Sequence, residues 1–286
     1  NVGFDRVYVN TSDGEARAWN LNFEVDQNLG AVLQVGLRYG YNRASDNGSF
    51  SCCTSNEGFT GTPTAGNPNF YGNPGDAERG TWAPSDFERR HVLVANFLWR
   101  APLGFRLNGI FRSQSGTPWT PVVDGDVNGD GARFNDRAFV SRALQFNSPA
   151  DAARFQSVLA DFDCIREQEG EIARRNSCRN PGWNSLDLRL SKEVRTFGAQ
   201  RLELLVDVFN VLNGLNEDWG RYVTVATSST NLLKAERYDA TTGQIVYSVN
   251  YDPAAEAGQR GFGEARPLPF GDPFQFQVQL GARYRF

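Results

Sequence analysis

The chain has no methionine, a single histidine (His91) and only four cysteines in 286 residues. No charge of one sign dominates: the formal net charge is −4 and the isoelectric point lies near 5.2. No uninterrupted apolar run reaches the ~18 residues that a membrane-spanning helix needs. Each shortage excludes something. Without an apolar run there is no helical membrane span. A mean hydropathy of −0.48 leaves strand crossings open, because spanning strands alternate apolar with polar residues. Without a basic balance, no nucleic-acid partner is expected. With one histidine, any Ser-His-Asp chemistry would have to use His91. It follows Arg89 and Arg90 at a strand start, and SQSG at 113–116 is not the G-x-S-x-G nucleophile elbow. His91 therefore reads as a polar rim residue, and no enzymatic role is expected. Lacking both an initiator residue and a charged-apolar-small leader, the chain is expected to be a processed form or a fragment.

Cysteines 52, 53, 164 and 178 fit no zinc spacing. Cys164 and Cys178 share one loop and can bridge there. Cys52 and Cys53 can pair with each other or across loops, and unpaired thiols are the alternative. Bridged loops fit an oxidising compartment.

What the chain does have is glycine (29), phenylalanine (21) and a period of two. In FQFQVQLGARYRF, Phe274, Phe276, Val278, Leu280, Ala282, Tyr284 and Phe286 alternate with Gln275, Gln277, Gln279, Gly281, Arg283 and Arg285. Successive strand side chains point to opposite faces, so one face is apolar and the other polar. The same pattern sets Trp19, Leu21, Phe23 and Val25 against Asn20, Asn22, Glu24 and Asp26. It sets Leu33, Val35, Leu37, Tyr39 and Tyr41 against Gln34, Gly36, Arg38, Gly40 and Asn42. It continues through Leu103, Phe105, Leu107 and Phe111, through Leu186, Leu188 and Leu190, and through Leu202, Leu204, Val206 and Val208. RRHVLVANFLWR is less regular; Leu93, Ala95, Phe97 and Trp99 are assigned outward, Asn96 and Arg100 inward. Eight strands are expected, at about 1–10, 14–27, 30–43, 88–100, 103–117, 184–197, 200–213 and 274–286. Each is about as long as a tilted strand needs to cross a bilayer.

The connections separate a membrane barrel from a soluble sandwich. Tight turns fall near Gln27–Leu29, Ala101–Pro102 and Gly198–Ala199, and long loops at about 44–87, 118–183 and 214–273. Short and long alternate, apart from a short link at Thr11–Asp13 on the long side. Hairpin connectivity then gathers the long loops at one end, as in outer-membrane barrels with short periplasmic turns and long extracellular loops. The fold class read from this is all-β: an antiparallel transmembrane β-barrel segment. Its last strand runs down, with Phe286 at the periplasmic rim. Trp99 and Tyr284 are expected at that rim, and Trp19 and Tyr41 at the outer one.

At this point NSLDLRLSKEVRTFGAQRLELLVDVFNVLNGLN resembles the penultimate hairpin of TonB-dependent outer-membrane receptors. Its strand ends in Ser-Lys, a tight turn follows, and the next strand ends in Phe209, Asn210 and Asn213. The terminal QLGARYRF resembles both the last strand of that family and the general assembly signal of outer-membrane proteins, with Leu280, Tyr284 and Phe286 in register. RRHVLVANFLWRAPLGFRLNGIFRSQSGTPWT and DGDVNGDGARFNDR resemble the Oar-like subgroup. The resemblance implies a barrel of roughly 22 strands, of which this chain carries about eight at the C-terminal end. Plug, TonB box and N-terminal domain lie outside the chain. It further implies a bacterial outer-membrane location, ligand capture and TonB-dependent uptake. The expected partners are outer-membrane lipid, the TonB complex acting through a plug, the barrel-assembly machinery and an extracellular ligand. A structural or adhesion barrel without energised transport is the alternative.

One loop has the spacing of a Ca²⁺ site. In DGDVNGDGARFNDR, Asp126, Asn128 and Asp130 alternate, Gly131 permits a bend, and Asp136 follows. Hard Ca²⁺ takes six to eight oxygens from such clusters. Arg137 stands where an EF-hand has its last acid, which leaves a shorter, dockerin-like loop over 124–137, with Asp124 and the Ala132 carbonyl as further candidates. The same residue types also favour metal-free Asx turns. Loop aromatics Phe70, Tyr71, Trp82, Trp119, Trp183 and Trp219 are candidates for ligand stacking or for packing the loops. A hairpin is expected at Thr242–Gly243, and helical spacing over 149–175 predicts a short helix.

Overall fold

The computed structural model describes residues 15–47, 82–127, 136–223, 229–255, 260–261 and 275–286. In chain order the elements are β1 (Ala16–Leu29), β2 (Leu33–Asp46), β3 (Ala83–Pro84), β4 (His91–Arg100), β5 (Phe105–Gln114), β6 (Pro118–Asp124), β7 (Gln145–Phe146), α1 (Pro149–Asp161) and α2 (Asp163–Arg166). Then come β8 (Cys178–Arg179), β9 (Trp183–Arg195), β10 (Arg201–Phe209), α3 (Val211–Leu215), β11 (Ser229–Asp239), β12 (Gln244–Val249) and β13 (Gln277–Arg285).

The alternating segments form one antiparallel sheet ordered β1-β2-β4-β5-β9-β10-β13, with β3 added at the end of β2. Each long strand pairs with the next in sequence, and the registers keep the faces in phase. Leu21 opposes Tyr41, Phe23 opposes Tyr39 and Val25 opposes Leu37. Leu37 opposes Ala95 and Val35 opposes Phe97. Phe111 opposes both Ala95 and Leu186. Val206 opposes both Leu190 and Leu280. A slip of one residue anywhere would have thrown polar side chains onto the apolar face. The outward assignment of Leu93, Ala95, Phe97 and Trp99 holds: Trp99 opposes Leu33 and Leu107. The strand expected at 1–10 and its link at Thr11–Asp13 lie outside the described residues. β1 and β13 are the edges of the described sheet.

Small residues let this sheet close up on both faces. The Phe97 ring lies over Gly109, so close that a Cβ there would sit 2.2 Å from it. The tight turns cluster at one end, with two shifts from expectation. The β1–β2 turn falls at Gly30–Val32, because Gly30 takes the positive φ of 64° that the turn needs. Leu103, expected on the apolar face of its strand, stands instead in the β4–β5 turn with φ 62° and is 84% exposed. The third turn is at Gly198, φ 58°.

At the opposite end the long connections are not simple loops, and this is the main departure from the sequence reading. They build a second sheet, ordered β7-β12-β11-β6-β8. The β5–β9 hairpin continues upward into β6 and β8, where Pro118 opposes Arg179 and Trp119 opposes Cys178. β11, from the following long connection, lies parallel to β6, and β12 pairs back on β11. α1 packs on this sheet, capped by the Ser148 hydroxyl, which accepts from the Asp151 backbone N–H at 3.1 Å. Among the described residues the buried apolar core sits here: Trp119, Val123, Val140, Phe155, Val158, Leu159, Ile165, Leu232 and Leu233. The main sheet has no such core, because its apolar face points outward. The expected helix is α1, followed by α2; the expected hairpin is β11–β12, turning through Gly243 at φ 69°. Cys164 and Cys178 form a disulfide that ties α2 to β8. Cys52 and Cys53 lie outside the described residues.

Candidate functional site

The polar face of the main sheet carries a ladder of transverse ion pairs. Arg38 on β2 reaches back to Glu24 at 2.7 Å and Asp26 at 3.1 Å on β1, and donates forward to Asn96 Oδ1 on β4 at 3.1 Å. Gly36 makes room for this convergence: a Cβ there would lie 2.6 Å from both Asn96 Oδ1 and Asp26 Oδ1. Arg112 on β5 pairs with Asp187 on β9 at 2.6 Å. Arg189 on β9 grips Asp207 on β10 with two hydrogen bonds, Nε at 2.5 Å and Nη2 at 2.9 Å. Arg201 and Arg285 converge on Glu193, and Arg283 and Arg285 on Glu203. Charged side chains thus cross from strand to strand on the wet face, opposite an apolar face on which Leu21, Phe23, Leu204, Val278 and Leu280 are exposed.

A soluble protein has no use for a sheet whose apolar side faces out and whose charged side faces in; a transmembrane barrel with a wet lumen requires it. The profile of the outer membrane β-barrel domain family matches residues 2–232. The chain belongs to this family. No curated protein matches it, and no solved structure does. The family places the chain in the bacterial outer membrane, and the apolar face is the one such a barrel turns to lipid. On that face Lys192 sits near the tight-turn end with its ammonium 4.5 Å from the centre of the Phe105 ring, where its head can reach the interface. At the other end of the same face, Trp19 and Tyr41 form an aromatic pair with ring centres 5.2 Å apart.

The outer membrane barrel's long-loop end is clamped to the sheet above it by buried charges that the sequence did not signal. The fully buried Arg175 guanidinium binds the carboxylate of Asp46, the last residue of β2, and donates to its carbonyl at 2.8 Å. Glu88, also fully buried, accepts from the Ala44 backbone N–H at 3.0 Å, from Arg90 at 3.1 Å and from Arg179. Asn176 donates to the Pro84 carbonyl at 2.7 Å and to Asp86 at 2.6 Å, and takes part in a hydrogen bond with Thr120. The β2–β4 and β5–β9 connections therefore meet at one junction. The Phe-Asn-x-x-Asn signature works at the same level. Asn210 adopts the left-handed conformation, φ 47°, that asparagine tolerates better than other side chains. Its N–H donates to Asp187 at 2.9 Å and its amide to the Gly220 carbonyl at 3.0 Å. Asn213 holds the Glu217 and Trp219 carbonyls and accepts from the Phe276 N–H, bringing the chain back to β13.

Of the calcium-loop residues, Asn128 and Asp130 lie outside the described residues. Asp136 Oδ2 accepts from the Val127 N–H, nine residues earlier, at 2.7 Å, and Asp126 is two residues beyond the end of β6. Among the described residues, no cluster of three or more metal-ligating side chains occurs. His91 is part of the rim aromatics: its Nδ1 is 2.7 Å from the Tyr39 hydroxyl, and its ring centre is 5.2 Å from that of Tyr41. Trp119 is 1% exposed and belongs to the core, which removes it from the ligand-stacking candidates. Trp82 is exposed beneath the Arg17 guanidinium, and Trp219 is exposed beside α3. Phe70 and Tyr71 lie outside the described residues. Leu280 opposes Val206, and Tyr284 opposes Leu202 and donates to Gln200 at the tight-turn end; Phe286 is fully exposed there.

Proposed function

We propose that this chain forms the C-terminal wall of the barrel of a TonB-dependent receptor of the Oar-like type, capturing an extracellular ligand and passing it inward when a plug is pulled by TonB. The observation that carries this reading is the folded sheet-and-helix cap at the long-loop end, clamped to the rim by Arg175, Arg179 and Glu88. A passive structural barrel has no need of a rigid surface of that size above its mouth. Among the described residues β1 and β13 are the edges of the sheet, which supports a wall that continues into other strands, since edges invite pairing. In this reading the cap is extracellular, and Leu280, Tyr284 and Phe286 lie at the periplasmic rim, where the assembly machinery reads them. The role is reception, not catalysis.

Two measurements test it. A membrane-impermeant maleimide on intact cells is expected to label Thr242→Cys, at the tip of the β11–β12 hairpin, and not Phe197→Cys, in the β9–β10 turn; the opposite pattern reverses the orientation. Ligand accumulation is expected to stop in cells lacking TonB. Unchanged accumulation there would favour a barrel without energised transport.

A further inference from the structure

The irregular strand HVLVANFLWR puts both of its valines on the wet face. Val92 opposes Gly40, and Val94 opposes Arg38. Next to them, register sets Asn20 opposite Asn42, and Asn22 opposite Gly40. The result is a cavity of about 630 Å³ on the lumenal side of β1, β2 and β4. One wall is apolar (Val92, Val94) and the other is three carboxamides. Gly40 is the gap between them, where a Cβ would already press on Asn22 Oδ1 at 3.2 Å. The pair Glu24–Arg38, 2.7 Å apart, neutralises itself at the lower end.

The mouth is supplied by the rim clamp. Glu88 is fully buried and held by Ala44, Arg90 and Arg179, and this fixes its two neighbours, Phe87 and Arg89, over the cavity. Phe87 is 64% exposed and lines the cavity. Each carboxamide both donates and accepts hydrogen bonds, and the Arg89 guanidinium at the mouth adds further donors, an array that suits hydroxyl groups. A site that offers an aromatic plate and an aliphatic wall on some sides, and carboxamides on another, matches a ring with C–H faces and hydroxylated edges.

We infer that this basin binds a hydroxyl-rich oligosaccharide, with Phe87 stacking on a sugar ring, Val92 and Val94 against its C–H surface, and Asn20, Asn22 and Asn42 on its hydroxyls. The inference rests on the receptor reading above and names the ligand class for it.

The test uses the full-length receptor in detergent, titrated calorimetrically with maltohexaose, cellohexaose and xylohexaose at up to millimolar concentration. At least one is expected to bind. Phe87→Ala and Asn42→Ala are each expected to weaken it roughly tenfold, and Gly40→Leu, which fills the floor, to abolish it. Phe87 is exposed, so its truncation tests the site without touching the core. Binding of none of the three glycans overturns the proposal, as does binding that Phe87→Ala and Asn42→Ala leave unchanged. The two readings fail separately. If a tryptic casein digest binds in place of the glycans and Asn42→Ala weakens it, the sugar class falls and ligand capture stands. If a glycan binds but its accumulation in cells is the same without TonB, energised transport falls and the site stands.

Discussion

Arg175 shows what a single side chain does at the junction. Its guanidinium is fully buried against Asp46, itself 5% exposed, so neither charge has water to fall back on. Removing one partner of such a pair strands the other and costs roughly 3–5 kcal/mol, whereas replacing both with apolar groups costs far less. Arg175→Met is therefore expected to loosen the cap from the rim, seen as faster limited proteolysis between β6 and β9 in detergent. The double change Arg175→Met with Asp46→Leu is expected to restore most of the protection. Equal proteolysis of wild type and Arg175→Met would show that the clamp does not hold the cap. Neither residue stood out in the sequence. Arg175 is one arginine among many polar residues, and its partner is 129 positions away. Asn210 was legible as part of a motif, but its task, a left-handed corner pinned to Asp187, needed coordinates.

Among the elements, the strands of the wall were legible because each carries its own evidence: a period of two says which face is which without reference to any neighbour. Even β4, with two valines on its wet face, was assigned the right phase from its aromatic and asparagine positions. The cap was not legible. Its sheet depends on β6 lying parallel to β11, a pairing between segments of two different connections. Parallel partners need a crossover, and nothing local announces it. Two predictions belong here. The Cys164–Cys178 disulfide closes a loop of sequence separation 14, for which the loss of the cross-link costs about 3 kcal/mol. Cys164→Ser with Cys178→Ser is expected to lower the melting temperature of the cap while the barrel keeps its heat-modifiable mobility on gels; loss of both together would mean that wall and cap unfold as one unit. The second concerns pH. Burial and the hydrogen bond to Asp161, 2.7 Å away, push the Tyr251 hydroxyl up to about 12. A raised value means that the protonated form is favoured on folding. This stabilisation is intact below the ordinary tyrosine value near 10 and is lost as pH rises from there to about 12. Cap melting is expected to fall over that interval in wild type, and to fall less in Tyr251→Phe. At the acid end, hydrogen bonds hold three cap carboxyls below their usual range: Asp252 by Arg154, Asp239 by Gln145 and Glu236 by Ser248. The stability they add is present above about pH 4 and is lost below it.

At the scale of the molecule, the two halves are stabilised by opposite arrangements. The wall turns its apolar face outward and its charges inward, and depends on a bilayer to bury what water will not accept. The cap buries Trp119, Phe155 and Leu232 in an ordinary core. Insertion and cap folding are therefore expected to be separable steps. Deleting Phe286, which is exposed at the tight-turn end and contributes nothing to the cap core, is expected to reduce the amount of heat-modifiable barrel in outer-membrane fractions severalfold. The cap disulfide is expected to form normally in the molecules that insert. Unchanged insertion would remove Phe286 from the assembly signal.

The sequence by itself determined the wall: among the described residues, its strand count and the phase of each of its strands, the grouping of turns and long connections at opposite ends, and the membrane class. These follow from local alternation and from the lengths between alternating segments. The bridge between Cys164 and Cys178 was among the options their shared loop offered; only the tertiary structure decided that the long connections fold into one cap and that Phe87 and Arg89 stand over a carboxamide-lined basin. Those features join residues that are distant in the chain, through buried charges and parallel pairing. Such contacts leave no periodic trace along the sequence.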